Sequence, residues 1–134
     1  MSRSGYSEEC DGWQLIMWRG AVESAINGKR GQAFLKEMLA AMDAMPIKRL
    51  IANDLVKDGE VCAIGTVAVA RGTDLSGIDV EYDENQELAK RMGIANAMVK
   101  EIEFINDDDL GYQMETPEQR FIRVYRWVKE KAKP

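Results

Sequence analysis

Apolar residues recur at intervals of three and four along most of this chain, the spacing of helices with one face in a core. Leu15, Trp18, Val22, Ala25 and Ile26 form the first stripe, with Arg19 and Glu23 elsewhere on the wheel. Ahead of it, Asp11-Gly12-Trp13-Gln14 reads as a capping box, Asp11 accepting from the N3 amide and Gln14 reaching back. Gly28 is expected to stop this helix by taking left-handed backbone. A second stripe, Phe34, Leu35, Met38, Leu39, Met42 and Met45, predicts a helix from about Gly31 that Pro46 terminates. Its methionines read as core filler rather than as an adaptable groove. Joined through Asn27-Gly28-Lys29-Arg30, the two helices read as an antiparallel helical hairpin.

Residues 47–72 are ambiguous. Leu50, Ile51, Leu55 and Val56 suit either an extended piece or one to two helical turns. The following run, Val61 to Ala70, is nearly all apolar. Its valines favour a strand, with a hairpin around Lys57-Asp58-Gly59-Glu60. Its alanines and Gly65 favour a buried helix in close contact with its neighbours. Ten apolar residues exceed a typical strand, so the helix is preferred, with Gly72 closing it.

Beyond a polar loop from Thr73 to Tyr82, Asp83-Glu84-Asn85-Gln86 forms a second capping box. Leu88, Ala89 and Met92 follow it, and Gly93 is the stop. Met98, Val99, Ile102 and Ile105 mark a helix from about Ala95, which Asn106 is suited to end. Thr116-Pro117-Glu118-Gln119 is the clearest helix start, with Phe121, Val124, Tyr125 and Val128 at helical spacing behind it. The expected fold is all-α, a compact bundle of about six helices with a short extended piece or hairpin near 48–70. A polar arm, 1–10, precedes one helical domain, 11–134.

Composition narrows the chemistry. The 134 residues are 46% hydrophobic and 31% charged, globular values. No run of 18 apolar residues exists, and the N-terminus lacks the apolar stretch of a signal peptide, so a cytoplasmic location is expected and no membrane partner. Cys10 and Cys62 are too few for a disulfide scaffold and read as free, inert thiols. There is no histidine, which removes Cys-His and Ser-His-Asp nucleophile pairs and His-based metal sites. A carboxylate enzyme using Mg²⁺ remains open. No dinucleotide or phosphate-binding loop is present, and no cofactor is expected.

Charge is unevenly spread. Residues 61–115 hold 4 basic and 12 acidic groups, a net −8, whereas 116–134 hold 6 basic and 2 acidic, a net +4. The acids concentrate at Asp79, Glu81, Asp83 and Glu84 and at Asp107, Asp108 and Asp109. Charge runs usually just solvate loops, but these two also suit a binding face for a basic partner. Divalent-metal binding is the third reading. An EF-hand loop counted from Asp107 places Tyr112 where the sharp turn demands Gly, so no standard calcium loop is present. At the other end Arg120, Arg123, Arg126, Lys129 and Lys133 recur every three or four residues, with Trp127 nearby. Such a stripe suits phosphates and a stacking aromatic suits bases. The plainer reading is a basic polar face that pairs with the acidic middle segment.

Several stretches resemble a group of small uncharacterised phage and prophage proteins. They are Ser2 to Cys10, Trp18 to Pro46, Val61-Cys62-Ala63-Ile64-Gly65, Phe104-Ile105-Asn106-Asp107 and Glu115 to Phe121, so the resemblance covers most of the chain. A wider set of small helical proteins is also similar, through a Cys-Ala-x-Gly-Ala segment and a later Trp-Asn-Asp. This chain departs from the second motif with Phe104-Ile105-Asn106-Asp107. The resemblance supports a helix at 61–70 and transfers no catalytic residue. It implies a non-enzymatic phage accessory protein that binds a host protein, such as an inhibitor of a host defence complex of the anti-CRISPR kind. The acidic residues are its candidate face. The alternative is a nucleic-acid-associated regulator using Arg120, Arg123, Arg126, Trp127 and Lys129.

Overall fold

The structure, a computed structural model, describes residues 12–78, 86–107 and 115–134, with the backbone alone for 12–15. In chain order the elements are α1 (Gly12–Asn27), α2 (Lys29–Ala44), β1 (Val56–Lys57), β2 (Glu60–Val61), α3 (Ala63–Arg71), α4 (Gln86–Met92), α5 (Asn96–Asp107) and α6 (Pro117–Lys131). The fold is mainly α, as the periodicity predicts. The arm and the cap residues of the first two capping boxes, Asp11 and Asp83, lie outside the described residues, so neither box is tested.

The predicted stripes meet in one core. Val22 and Ile26 of α1, Phe34, Leu35, Met38 and Met42 of α2, and Met98, Val99 and Ile102 of α5 are buried there. Leu88 and Met92 of α4 join them, as do Phe121, Val124 and Val128 of α6. Each fully buried Leu, Ile, Phe or Met contributes roughly 1.5–3 kcal/mol relative to exposure. No helix among the described residues is long and apolar enough to cross a membrane.

The ambiguous stretch uses both of its readings. β1 and β2 pair antiparallel, Val56 with Val61 and Lys57 with Glu60. Asp58 (φ 53°) and Gly59 (φ 79°) make the two-residue turn, whose twist matches the strands. Cys62 then ends the strand. Its backbone is extended, and its Sγ accepts from the Gly65 amide at 3.4 Å, capping α3. Gly65 is required here, because a Cβ would sit 2.1 Å from the Leu55 carbonyl oxygen. The first turn of α3 therefore lies directly against the strand entry, and residues 61–68 are all buried.

α1 ends at Asn27, just before Gly28 as expected, but the geometry of that end and the position of the α5 end are corrected. Gly28 is not left-handed: at φ −72° and ψ 165° it is the N-cap of α2, and its carbonyl takes the Gln32 amide at 2.9 Å. One residue therefore replaces the expected four-residue link. Gly31 explains how so tight a corner closes, since a Cβ there would lie 1.9 Å from the Ala25 carbonyl oxygen. Asn106 does not end α5, which continues to Asp107 with the Asn106 side chain fully buried. The stops at Gly72 and Gly93 are left-handed as expected, at φ 71° and 74°. The capping box of α6 also forms, Thr116 Oγ1 accepting from the Gln119 amide (3.1 Å) and Gln119 Oε1 from the Thr116 amide (2.9 Å).

Candidate functional site

Of the acidic candidates only Asp107 lies among the described residues; Asp79, Glu81, Asp83, Glu84, Asp108 and Asp109 lie outside them. Asp107 is half-buried, and its Oδ1 accepts from the Asn53 amide at 3.0 Å and from Asn106 Nδ2 at 2.7 Å. The chain before the first acidic run is anchored too. Arg91 Nη1 donates to the carbonyls of Asp74 (3.0 Å) and Ser76 (2.7 Å), while its Nε bonds Glu87 at 3.0 Å. Asp74 Oδ1 in turn accepts from the Ser76 amide at 2.8 Å. Hydrogen bonds from Ser76 hold the Asp74 carboxyl below its ordinary range. Both acidic runs thus continue from hydrogen-bonded backbone.

Asn106 is the junction of the second anchor. Its Oδ1 accepts from the Ala63 amide at 3.1 Å, and its Nδ2 also donates to the Ile51 carbonyl at 2.9 Å. Its carbonyl accepts from Arg120 Nε (3.0 Å) and Arg123 Nη2 (3.2 Å). Arg120 also reaches the Leu50 carbonyl at 3.2 Å, and Arg123 the Ile105 carbonyl. Both guanidinium groups face Glu115. Arg123 forks onto it with Nε at 2.7 Å and Nη2 at 2.9 Å, and Arg120 Nε stands 3.4 Å away. The Arg123 hydrogen bonds hold the Glu115 carboxyl below its ordinary range, against a smaller opposing effect of burial.

The basic candidates therefore separate into two groups. Arg120 and Arg123, with side chains 13% and 17% exposed, bind α5's last carbonyls and Glu115. Arg126 and Lys129 are exposed, and Trp127 packs half-buried against the core. The stripe is not one continuous phosphate-facing row. An Arg123 substitution would disturb the fold as well as any binding.

Sequence reasoning missed the polar residues inside α5. Glu103 and Asn106 lie four and seven residues after Val99, within the buried stripe, and both are 0% exposed. That spacing was the available signal. Glu101 is also buried and takes Arg19 Nη1 on both oxygens, at 3.0 and 3.1 Å. Together with Lys100 Nζ over the Trp18 ring at 5.6 Å, this pair closes the α1–α5 seam.

One open cleft of about 210 Å³ lies between the end of α2 and the hairpin, lined by Met45, Ile47, Arg49, Glu60 and Val61. Its polar groups pair with each other, Arg49 Nε lying 2.7 Å from Glu60 Oε1. Among the described residues no group of three or more Cys, Asp or Glu is placed to hold a metal ion. Cys62 is buried and serves as a helix cap. No family model, curated protein or solved structure matches this chain.

Proposed function

We propose that this chain is a non-enzymatic binding protein whose acidic segment occupies a basic surface on another protein. The resemblance to phage-encoded proteins makes a phage accessory factor the natural setting, with a host defence complex as the leading class of target. The observation that carries this reading is the anchoring of the described chain that leads into both acidic runs. Arg91 fixes the backbone at Asp74 and Ser76 ahead of 79–84, and Asn106 and Asp107 fix the start of 107–109. A flank already held in place leaves less chain to order on binding, and acidic charge steers encounter with a complementary basic surface.

The test is charge reversal in a tagged protein used to capture partners from bacterial lysate. Asp79, Glu81, Asp83, Glu84, Asp108 and Asp109 are each changed to Lys, and Asp107 is kept because it holds the Asn53 amide. Loss of a partner that the unmodified chain retains supports the reading. Equal retention by the reversed variant removes the acidic face.

A further inference from the structure

Two basic stretches far apart in sequence meet along the seam between α2 and α6. Gln32 Nε2 donates to the Lys131 carbonyl at 3.0 Å, and its Oε1 accepts from the Lys133 amide at 2.7 Å. Nearer the other end of α2, Tyr125 donates to Asp43 Oδ1 at 2.7 Å. The helices therefore run antiparallel, the first turns of α2 beside the last turn of α6. With 3.6 residues per turn, Lys29 and Lys36 lie within about 60° of Gln32, rotated toward solvent. By the same geometry Lys129 lies about 40° from Tyr125, and Lys133, beyond the end of α6, is held at the seam by the bond from its amide to Gln32. All four lysines are exposed, and Arg126 stands exposed beside the α6 pair.

Of the acids of α2, Glu37 is engaged away from the seam on Arg71, and Asp43 lies at the seam with its Oδ1 taken by Tyr125. Glu130 of α6 is rotated about 140° from Tyr125, away from the seam. Lys29 and Arg30 also stand in the first turn of α2, where no acid is present and positive charge opposes the helix dipole. Positive charge at that helix start costs the free chain stability that a bound polyanion would return. The kind of cation points to the kind of polyanion. Lysine is depleted at protein–protein interfaces but binds phosphate well as a point charge.

We propose that the α2–α6 seam, through Lys29, Lys36, Lys129 and Lys133, docks the phosphate backbone of a nucleic acid without reading its sequence. Arg126, Lys129 and Lys133 are shared with the stripe expected from sequence, and Lys29 and Lys36 are added to it by the fold. The surface uses none of the residues of the proposed acidic face and is tested independently of them.

The experiment is fluorescence anisotropy of the full chain with labelled single-stranded DNA, duplex DNA and RNA of about 20 nucleotides or base pairs, starting near 50 mM salt. At least one probe is expected to bind, with log affinity falling against log salt at a slope of about −3 to −4, as four neutralised phosphates require. Joint Lys29→Glu, Lys36→Glu, Lys129→Glu and Lys133→Glu should weaken binding at least about tenfold and flatten that slope. The matching Lys→Gln set, gentler on the fold, should give an intermediate loss. Lys57→Glu with Lys90→Glu, exposed elsewhere, should leave affinity within about twofold. Circular dichroism confirms that each variant is folded. Absence of binding to all three probes would overturn the proposal, as would unchanged affinity in the folded Lys→Gln set. Displacement of the probe by poly-glutamate at equal charge would assign the surface to an acidic protein instead.

Discussion

Asn106 Oδ1 accepts the backbone amide of Ala63, 43 residues away in sequence, at 3.1 Å. The bond ties the last turn of α5 to the first turn of α3, whose early amides have no carbonyl partner within the helix. The same side chain holds the Ile51 carbonyl, so Asn106→Ala leaves at least two backbone groups unsatisfied. It should destabilise the fold by about 2–4 kcal/mol, read as a lower urea midpoint with unchanged slope. A loss below about 0.5 kcal/mol would show that water replaces these bonds easily.

Two glycines inside helices should respond oppositely to the same change. Gly65→Ala places a Cβ against the Leu55 carbonyl oxygen, where 2.1 Å of space is too little. It should cost at least about 2 kcal/mol or prevent folding. Gly20 is exposed in the middle of α1 with nothing within 4 Å of an added Cβ. Gly20→Ala should therefore stabilise the chain by about 0.5–1 kcal/mol through helix propensity alone. Thermal melts of the two variants give the signs directly.

Stability should fall in acid partly through Glu115. Its folded pKa is depressed below the ordinary 4.5 by hydrogen bonds from Arg123. A depressed carboxyl stabilises the fold fully above its unfolded pKa, and that contribution is lost as pH falls through the folded value. Glu37, depressed by its hydrogen bonds from Arg71, acts in the same direction. In Glu115→Gln the fall in stability between neutral pH and about pH 3 should be shallower, from a lower starting point. An unchanged acid slope would place the linkage on other carboxyls.

Arg123 and Arg126 are neighbours on the predicted basic stripe, yet their substitutions should differ sharply. Arg123→Ala removes the fork to Glu115 and the bonds to two α5 carbonyls, costing about 2–3 kcal/mol. Arg126 is exposed, and Arg126→Ala should fall within about 0.5 kcal/mol of the unmodified chain. Equal effects in denaturant melts would contradict the placement of Arg123 at the α5 terminus.

Helix stripes were legible because 3.6-residue periodicity depends only on which face is buried. The α6 start was legible for a similar reason, since the Thr116–Gln119 box is purely local. Gly28 misled because glycine serves equally as an extended N-cap, and only the close approach of Gly31 to Ala25 decides the corner. Residues 56–71 were ambiguous because strand and helix follow one another there, and the switch is a cysteine acting as a cap. The fate of Arg120 and Arg123 was not legible from their spacing. Their partners, Leu50, Ile105, Asn106 and Glu115, are set by tertiary packing. The α2–α6 seam was hidden for the same reason, because its lysines are about 100 residues apart in pairs joined through Gln32.

The most direct measurement is affinity capture of the tagged chain from bacterial lysate, with and without nuclease, read by mass spectrometry and staining. A protein recovered in stoichiometric amount and retained after nuclease is the expected result, and it names the target. Recovery of nucleic acid alone, lost after nuclease, would contradict a protein-binding function and leave the basic seam as the working surface.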